Sequence, residues 1–405
     1  MGAVSSKGEL VLERGQGVHV FDTDGNRYID ATAGLWFCNV GHGRKKIAEA
    51  AADQMARLAS YSTFGDFANP PALALAERVA ALAPDKESVV FLTSGGSDSV
   101  DTAKKLALRL HQMQGEQNRD LFVVRQHAYH GMHLGGTSLA GIDANVSGYG
   151  DIDSGVVRVE WDSVDSLRAA FERIGPERIA AFFCEPVIGA GGVWAASREY
   201  LSAVRQMCRD AGVLFVADEV VTGFGRVGDW FASGRFELDP DLILCAKGLS
   251  SGYVPIGAVI APPHVYKPFW EAGSMWRHGY TYSGHAAAAA ASLANLDIID
   301  QEDLLGAGLE LETQLTEALK PVADHELVDH VRSGTGALAA IQLADEAIKA
   351  DPSLPIDIIR TTRACGVLTR LLGTDALQIS PPLVIQEQEL SELAGGLVAG
   401  LDACC

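Results

Sequence analysis

VLFVAD at residues 213–218 and LILCAK at residues 242–247 are two apolar runs, and each ends in a charged side chain. A short apolar run closed by a polar or glycine-bearing loop is typical of a buried strand. Because open α/β folds bind ligands where parallel strands end, we expect Asp218 and Lys247 to share a site at one sheet edge. The pair predicts a cofactor that needs both a carboxylate and a nucleophilic amine.

Helical and strand patterns alternate around these two runs, from about residue 45 to residue 285. Helical periodicity covers residues 45–58, 72–83, 97–114 and 200–211, and apolar strand patterns cover 89–92, 121–124 and 179–183. Alternation of this kind predicts an α/β fold in which helices cover a mainly parallel sheet.

The two ends of the chain have a different pattern. A hairpin is predicted over residues 18–29, because two short apolar runs flank the turn pair Asp24-Gly25. From about residue 286, helical stretches, two strand patterns and a terminal helix predict a smaller α+β domain. We therefore predict an N-terminal segment (1–44) that packs on the small domain, a large domain (45–285) and a small C-terminal domain (286–405).

The composition of the 405-residue chain is that of a globular protein, with 48% hydrophobic and 21% charged residues. The 32 Lys and Arg residues stand against 52 Asp and Glu, which gives a net charge of -20. This balance argues against nucleic acid or an anionic membrane as a partner. It still allows a local basic pocket for a small anionic ligand.

The sequence also predicts a cytoplasmic protein that does not cross a membrane. The alanine run at 286–291 is closed by Asp297 and Asp300, which favours a packed helix over a membrane span. Residues 1–7 lack the apolar core of a secretion signal. The seven cysteines show no CxxC spacing, and Cys184 and Cys245 lie in apolar runs, as reduced core cysteines do.

The stretch TSGGSDS at residues 93–99 directly follows a strand pattern and opens a helical one. Glycines let the backbone approach a ligand, and a helix N-terminus offers free N–H groups and a positive dipole end. A phosphate site and an ordinary helix cap are equally good interpretations of this stretch alone.

The segment after the strand 121–124 carries Tyr129, His130 and Gly131, and Tyr129 could stack on a flat cofactor ring. His127, His130 and His133 are evenly spaced, but the glycines of this segment argue against the helix that would align them on a metal. We therefore predict no metal site.

The glycine series at 223–228, GFGRVG, satisfies the dinucleotide pattern GxGxxG. That pattern marks a nicotinamide cofactor only where it follows a strand at once and opens a helix. Residues 218–222 intervene here, and 230–235 is a poor helix, so we interpret the series as a flexible loop.

Taken together, these motifs resemble those of the class III (ω-type) aminotransferases, which belong to fold type I of the pyridoxal-phosphate enzymes. The resemblance covers nearly the whole chain in family order. It is carried by residues 34–44, 93–102, 129–131, 185–187, 218–226, 247–249 and 280–285. The string DEVVTGFGR at 218–226 is the most specific part.

The resemblance implies a cofactor, pyridoxal 5'-phosphate, and a role for each matching residue. Lys247 would hold the cofactor as a Schiff base, and Asp218 would pair with its ring nitrogen. The remaining cofactor contacts would come from Gly95, Gly96, Ser97, Tyr129, His130, Glu185 and Val220. Thr281 would reach the cofactor of a partner subunit in a homodimer or tetramer.

The resemblance also implies a substrate pocket shaped by Trp36, Phe64 and Tyr129, with Arg370 binding a substrate carboxylate. It predicts transamination of an amine or ω-amino acid with a keto acid, most simply pyruvate. A phospho-lyase, decarboxylase or aminomutase on the same fold is the main alternative, because these enzymes share the ring chemistry. A nicotinamide-dependent oxidoreductase built on residues 223–228 and a non-catalytic binding protein are alternatives from other classes.

Overall fold

The computed structural model describes residues 9–271, 273 and 276–405. The N-terminal stretch 1–7, on which the prediction of a chain without a secretion signal depends, lies outside the described residues. The described chain falls into two compact units. The larger unit comprises residues 46–310, and the smaller unit comprises residues 9–45 together with 311–405.

A central sheet organises the larger unit, and seven strands of the described chain belong to it. In spatial order they are Val89–Thr93, Gly257–Ala261, Leu242–Cys245, Leu214–Asp218, Ile179–Cys184, Leu121–Arg125 and Val156–Val159. The last five run parallel to one another, whereas Gly257–Ala261 is antiparallel to both of its neighbours. A mainly parallel sheet is therefore confirmed, with one antiparallel strand that the sequence did not predict.

Helix Gly96–Met113 shows how the helices of this unit pack on the sheet. Its residues Val100, Ala103, Leu106, Ala107 and Leu110 recur at helical spacing and are buried in the core cluster. Further helices of the unit are Lys45–Leu58, Pro70–Leu82, Leu134–Ser138, Asp143–Val146, Val164–Ile174, Arg198–Asp210, Ala232–Arg235, Pro263–Glu271, Ala286–Gln301 and Leu304–Ala318, the last of which continues into the smaller unit. A short hairpin pairs Val187–Ile188 with Trp194–Ala195.

The smaller unit contains two sheets. One joins Leu12–Gln16, His19–Asp22, Arg27–Asp30 and Val367–Leu368, and the other joins Val328–Arg332, Ala339–Leu343, Ala376–Ile379 and Leu371–Leu372. Its helices include Ala33–Trp36, Lys320–Ala323, Asp345–Ala350, Leu354–Ala364 and Glu387–Asp402.

The predicted N-terminal hairpin is present, with Val20 opposite Tyr28. The carboxylate of Asp22 accepts the main-chain N–H of Asn26 at 2.8 Å and so closes the turn. The second strand of the hairpin, Arg27–Asp30, pairs in parallel with Val367–Leu368. Its first residue, Arg27, forms an ion pair with Glu392 in the C-terminal helix. These contacts attach the N-terminal segment to the smaller unit.

The predicted start of the small domain at residue 286 is too early. Helix Ala286–Gln301 belongs to the larger unit, where it packs along Pro70–Leu82. The Asn295 amide of this helix donates to the main-chain oxygens of Gly248 and Leu249, at 2.8 and 3.0 Å. A helix that is buried on most sides is apolar all round, so the change in sequence pattern does not mark a domain boundary. Neither this helix nor any other in the described ranges is long and apolar enough to span a membrane.

Two glycines of the C-terminal helix Glu387–Asp402 provide a test of how this helix packs on helix Leu354–Ala364. A Cβ added to Gly400 would lie 2.5–2.7 Å from atoms of Thr362 in the neighbouring helix, whereas one added to Gly395 would meet no atom within 4 Å. We predict that Gly400→Ala destabilises the protein by about 1–3 kcal/mol through overpacking. Gly395→Ala should stabilise it by about 0.5–1 kcal/mol, because alanine favours a helix.

Thermal unfolding of the two variants beside the wild type measures both effects. The midpoint should fall for Gly400→Ala and rise slightly for Gly395→Ala. Equal shifts in the same direction would show that the two helices do not pack as described.

Candidate active site

The two charged residues that close the apolar runs, Asp218 and Lys247, lie at the carboxyl end of the large sheet, hereafter called the sheet edge. Asp218 is the last residue of Leu214–Asp218, and Lys247 follows Leu242–Cys245 by two positions. These strands are adjacent and parallel, with Asp218 opposite Leu244. Both side chains therefore start from the carboxyl ends of neighbouring strands, the position at which open α/β sheets bind ligands.

The backbone at Lys247 turns sharply away from its strand. Ala246 is extended, and Lys247 has a φ of 41°, in the left-handed region that non-glycine residues avoid. A one-turn 3₁₀ helix, Lys247–Leu249, begins there and receives the Asn295 amide at two of its carbonyl oxygens. Such conformations cost about 1–3 kcal/mol and persist where the surroundings fix them, commonly at functional sites.

Asp218 is a buried carboxylate with two hydrogen-bond donors. His130 Nδ1 lies 2.7 Å from its Oδ2, and the main-chain N–H of Val220 donates to its Oδ1 at 3.1 Å. The His130 ring packs edge-on against Phe183, with 5.7 Å between centroids. Its Nε2 is buried and lacks a hydrogen-bond partner among the described residues. A buried polar atom of this kind is rare and indicates that a ligand or water belongs nearby.

Glu185 is a second buried carboxylate, and it fixes the loop that carries Tyr129. Its two oxygens accept the main-chain N–H groups of Tyr129 at 2.9 Å and Gly189 at 3.0 Å. Burial raises the pKa of Glu185, while the two N–H donors lower it. Arg125, which ends the strand Leu121–Arg125, donates to the main-chain oxygen of Glu185. Tyr129 is thus held by its backbone, with its half-buried ring at the strand edge.

The N-terminus of helix Gly96–Met113 forms a cradle beside Val220. A Cβ on Gly96 would lie 3.0 Å from a Val220 methyl group, so only glycine allows this approach without a shift. A Cβ on Gly257 would come within 2.8 Å of the Gly95 backbone. In contrast, a Cβ on Gly95 would meet no atom within 4 Å, so space is open in front of the helix end. Open space at a helix N-terminus suits a phosphate group.

Ser97 connects this cradle to the loop that carries His130. Its hydroxyl accepts the main-chain N–H of Met132 at 3.2 Å. A Cβ added to Gly131 would lie 2.4 Å from the same hydroxyl oxygen, and Gly131 has a φ of 92°. The loop can therefore approach the helix only with glycine at this position.

The three histidines considered as a metal site have separate partners. His130 is bonded to Asp218, His127 stacks on Trp194 at 5.6 Å, and His133 Nδ1 lies 3.4 Å from Asp98. Within the described ranges, no group of three potential ligand side chains could hold a metal ion.

The glycine series 223–228 forms a compact buried turn, so the prediction of a flexible loop is wrong. The N–H groups of Phe224 and Gly225 donate to Trp230 O and Asp229 O at 2.7 and 2.9 Å, and Phe224 is fully buried. The series neither follows a strand at once nor opens a helix, so it lacks the context of a dinucleotide site.

Glu219 holds this turn in place, and sequence analysis missed its role. Its carboxylate accepts four hydrogen bonds of 2.6–2.7 Å, from the Thr222 hydroxyl, the Ala232 N–H, and both the N–H and hydroxyl of Ser233. Burial raises the pKa of Glu219, and these four donors oppose that rise. The sequence signal for this role was the position of Glu219, a second acidic residue directly after the apolar strand Leu214–Asp218.

Thr281 and Phe64 lie on exposed parts of the larger unit. Thr281 is exposed and follows Tyr280, whose hydroxyl donates to the main-chain oxygen of Asp98 at 3.0 Å in the first turn of helix Gly96–Met113. Phe64 is 52% exposed, and its ring would lie 2.5 Å from a Cβ added to Gly279. Neither residue belongs to the hydrogen-bonded group around Asp218.

Trp36 and Arg370 lie together in the smaller unit. The Arg370 guanidinium carbon is 4.7 Å from the centroid of the buried Trp36 ring, a cation–π distance. Arg370 Nε also donates to the side-chain oxygen of Gln378 at 2.7 Å. Sequence analysis singled out Trp36 and Arg370 but missed Gln378, whose side chain also faces the main-chain oxygen of the sequence-distant Thr32.

The residues at the sheet edge fit the cofactor that the sequence resemblance implies. A phosphate needs N–H donors and space, which the Gly95–Gly96 helix end provides. A protonated ring nitrogen needs an oriented carboxylate, which Asp218 provides. A carbonyl carbon needs an amine, which Lys247 provides at the next strand.

Comparisons with known proteins agree with this set. The family profile described as Aminotransferase class-III matches residues 2–401. The putrescine–pyruvate aminotransferase of Pseudomonas aeruginosa is 34% identical, over 96% of this chain and 90% of that protein.

Solved structures agree equally well. An amine transaminase from an uncultivated Pseudomonas species, in its pyridoxal-phosphate-bound form, superposes with a TM-score of 0.93 at 34% identity, over 100% of this chain and 97% of that one. A Pseudomonas jessenii omega transaminase superposes with a TM-score of 0.94 at 32% identity, over 100% and 95%. In that variant, a tryptophan, a phenylalanine and an arginine are replaced for asymmetric synthesis of enantiopure bulky amines. The chain belongs to the class III aminotransferases, fold type I enzymes that transfer amino groups with pyridoxal 5'-phosphate.

Proposed function

We propose that this aminotransferase moves the amino group of an arylalkyl amine or ω-amino acid to pyruvate. The observation that carries the proposal is the pairing of Asp218 and Lys247 at the ends of adjacent parallel strands, beside an open helix N-terminus. The putrescine–pyruvate and amine transaminases among its relatives support an amine donor and pyruvate as the acceptor.

In this proposal, Lys247 and Asp218 perform the chemistry. Pyridoxal phosphate, when bound, takes up the electrons released as the substrate Cα–H bond breaks. Lys247 Nζ would remove the Cα proton and return it to the cofactor carbon that bears the substrate nitrogen. Asp218 holds the ring nitrogen protonated, and His130 keeps the carboxylate oriented through its 2.7 Å hydrogen bond. Orientation before reaction avoids reorganisation during the proton transfer.

The other loops of the sheet edge would hold the cofactor in place. The N–H groups of Gly95 and Gly96 and the Ser97 hydroxyl would bind the phosphate. Tyr129 and Val220 would lie against the two faces of the ring. Glu185 contributes through the main-chain N–H of Tyr129, which it accepts at 2.9 Å. A stacked aromatic ring at Tyr129 would restrict the tilt of the cofactor ring.

Trp36, Phe64 and Tyr129 would line the substrate pocket, and Arg370 would bind a substrate carboxylate. The engineered omega transaminase variant supports this assignment, since a tryptophan, a phenylalanine and an arginine are the three residue types replaced in it for the synthesis of enantiopure bulky amines. An arginine binds a carboxylate through two parallel hydrogen bonds, which gives affinity together with orientation.

We also propose that the enzyme is a homodimer, as a minimum, in which Thr281 reaches the cofactor of the partner subunit. An apolar groove of about 700 Å³ lies between helices Lys45–Leu58, Pro70–Leu82 and Ala286–Gln301. Met55, Leu58 and Leu73 on these helices are 41–60% exposed. Exposed apolar side chains on the helices of a groove are typical of a protein interface.

A cytoplasmic location completes the proposal. Cys184 is buried in the central sheet, and burial raises its thiol pKa to about 11, which keeps it in the unreactive thiol form. Core cysteines of this type are common in cytoplasmic proteins.

Alanine formation tests the proposed reaction directly. We predict that the holoenzyme makes alanine from pyruvate when it is given benzylic amine, β-alanine, γ-aminobutyrate or putrescine in turn, with at least one donor strongly preferred. Lys247→Ala should reduce the rate by more than about a thousandfold, because the nucleophile and the proton carrier are lost together. Lys86→Ala, at an exposed lysine that donates to the main-chain oxygen of Ala81, is the control. Its rate should equal that of the wild type.

Liquid chromatography of the products, with visible absorbance of the cofactor, reads out both points. Release of carbon dioxide or inorganic phosphate without alanine would contradict transamination. Turnover of amines by Lys247→Ala, with an imine that borohydride still reduces, would contradict the role of Lys247.

The role of Asp218 can be isolated with Asp218→Asn. We predict a loss of about 10²–10³-fold in the amine half-reaction, since an amide does not hold the ring nitrogen protonated. Far-ultraviolet circular dichroism should be unchanged, because asparagine has the same shape. Asp239→Asn, at an exposed carboxylate, serves as the control. A half-reaction near the wild-type rate would mean that another group protonates the ring.

The proposed interface can be tested with Leu73→Asp. Leu73 is 60% exposed on Pro70–Leu82, one of the helices that line the groove, so a charge buried there on association should disfavour it. Size-exclusion chromatography with light scattering should show a dimer, or a larger assembly, for the wild type and a shift towards monomer for the variant. Ile356→Asp, at a 45% exposed residue of the smaller unit, should leave the mass unchanged. A wild-type monomer would refute the interface.

A further inference from the structure

Gln378 is a fully buried polar residue in the strand Ala376–Ile379 of the smaller unit. Its Nε2 donates to the Ser380 hydroxyl at 2.7 Å and faces the main-chain oxygen of Thr32 at 3.4 Å. Its Oε1 accepts from Arg370 Nε at 2.7 Å. Because acceptors lie on one side of the amide and a donor on the other, the network permits a single orientation of this side chain.

Arg370 is held at two different points by this arrangement. Gln378 bonds the Nε atom, and the Trp36 ring supports the guanidinium plane at 4.7 Å. The backbone is tied as well, since the Gln378 N–H donates to Arg370 O at 2.9 Å and the Thr369 hydroxyl donates to Gln378 O at 2.6 Å. A long side chain with two separate supports loses fewer rotamers when a ligand binds.

We infer that Gln378 positions Arg370 and thereby sets the preference of the enzyme for substrates that carry a carboxylate. The inference rests on the proposed role of Arg370 in binding that carboxylate. Gln378 and Trp36 already support Arg370, and preorganisation of this kind increases affinity.

The effect is selective because neutral substrates do not use the guanidinium. An aldehyde acceptor has no carboxylate, so its affinity does not depend on how well Arg370 is ordered. Loss of the Gln378 oxygen therefore weakens the binding of pyruvate relative to that of an aldehyde. Gln378 acts through Arg370 and is a positioning residue for specificity.

Gln378→Met is the direct test, because it keeps the length of the side chain and removes its oxygen. The holoenzyme is assayed with one amine donor and two acceptors, pyruvate and butanal. We expect the ratio of kcat/KM for pyruvate to that for butanal to fall about tenfold, through a higher KM for pyruvate, as expected for one lost hydrogen bond to a charged group.

Gln342→Met is a matched control in the neighbouring strand. Gln342 accepts from Arg332 at 3.0 Å, so the same pair of residue types is broken in the same sheet without touching Arg370. Its acceptor ratio should stay within about twofold of the wild type. A fall equal to that of Gln378→Met would show that the effect is a general loss of packing.

Two further variants make the result decisive. Gln378→Glu keeps an oxygen at Arg370 Nε but adds a negative charge that competes with the substrate carboxylate, so the pyruvate ratio falls here also. Arg370→Met tests the underlying role by itself. If Arg370→Met lowers the ratio while both Gln378 variants leave it unchanged, the inference about Gln378 is wrong and the role of Arg370 stands. If Arg370→Met leaves the ratio unchanged, the proposed role of Arg370 fails.

Discussion

The buried hydrogen bond between Asp218 and His130 is the constraint around which the active site is organised. A carboxylate that is 5% exposed is stable only with donors in place, and here they are the His130 ring at 2.7 Å and the Val220 N–H at 3.1 Å. His130 in turn brings its loop to the sheet edge, and Gly131 in that loop contacts Ser97 at the cradle. One charged group thereby fixes the relative positions of the loops that would hold the ring and the phosphate.

Two other buried carboxylates hold irregular backbone at this edge. Glu185 accepts two main-chain N–H groups and fixes Tyr129, and Glu219 accepts four donors and fixes the turn that follows Val220. Loops have no regular partners for their backbone, so buried acceptors take the place of a strand or helix. Glycines at 96, 131 and 257 then allow these loops to approach one another closely. Rigidity of this kind preorganises a site before its cofactor and substrate bind.

The sequence predicted those features that depend on local pattern. Asp218 and Lys247 were located because each follows an uninterrupted apolar strand, and the Gly95–Gly96 helix start because glycines follow a strand at once. Strand Gly257–Ala261 was missed, since five small apolar residues do not show direction or partner. The boundary at 286 was misplaced because helix Ala286–Gln301 is buried on most sides, and its apolar pattern does not show which unit it joins. Gln378 was missed, because its contacts with Arg370 and Thr32 depend on the fold and not on a local sequence pattern.

The protonation state of the cofactor ring nitrogen tests the central role of Asp218 most directly. Wild-type enzyme reconstituted with pyridoxal phosphate carrying ¹⁵N in the ring can be followed by nitrogen nuclear magnetic resonance at neutral pH. We predict the chemical shift of a protonated pyridine nitrogen hydrogen-bonded to a carboxylate. The shift of an unprotonated ring nitrogen in the intact holoenzyme would contradict the assignment of Asp218 and the organisation of the site around it.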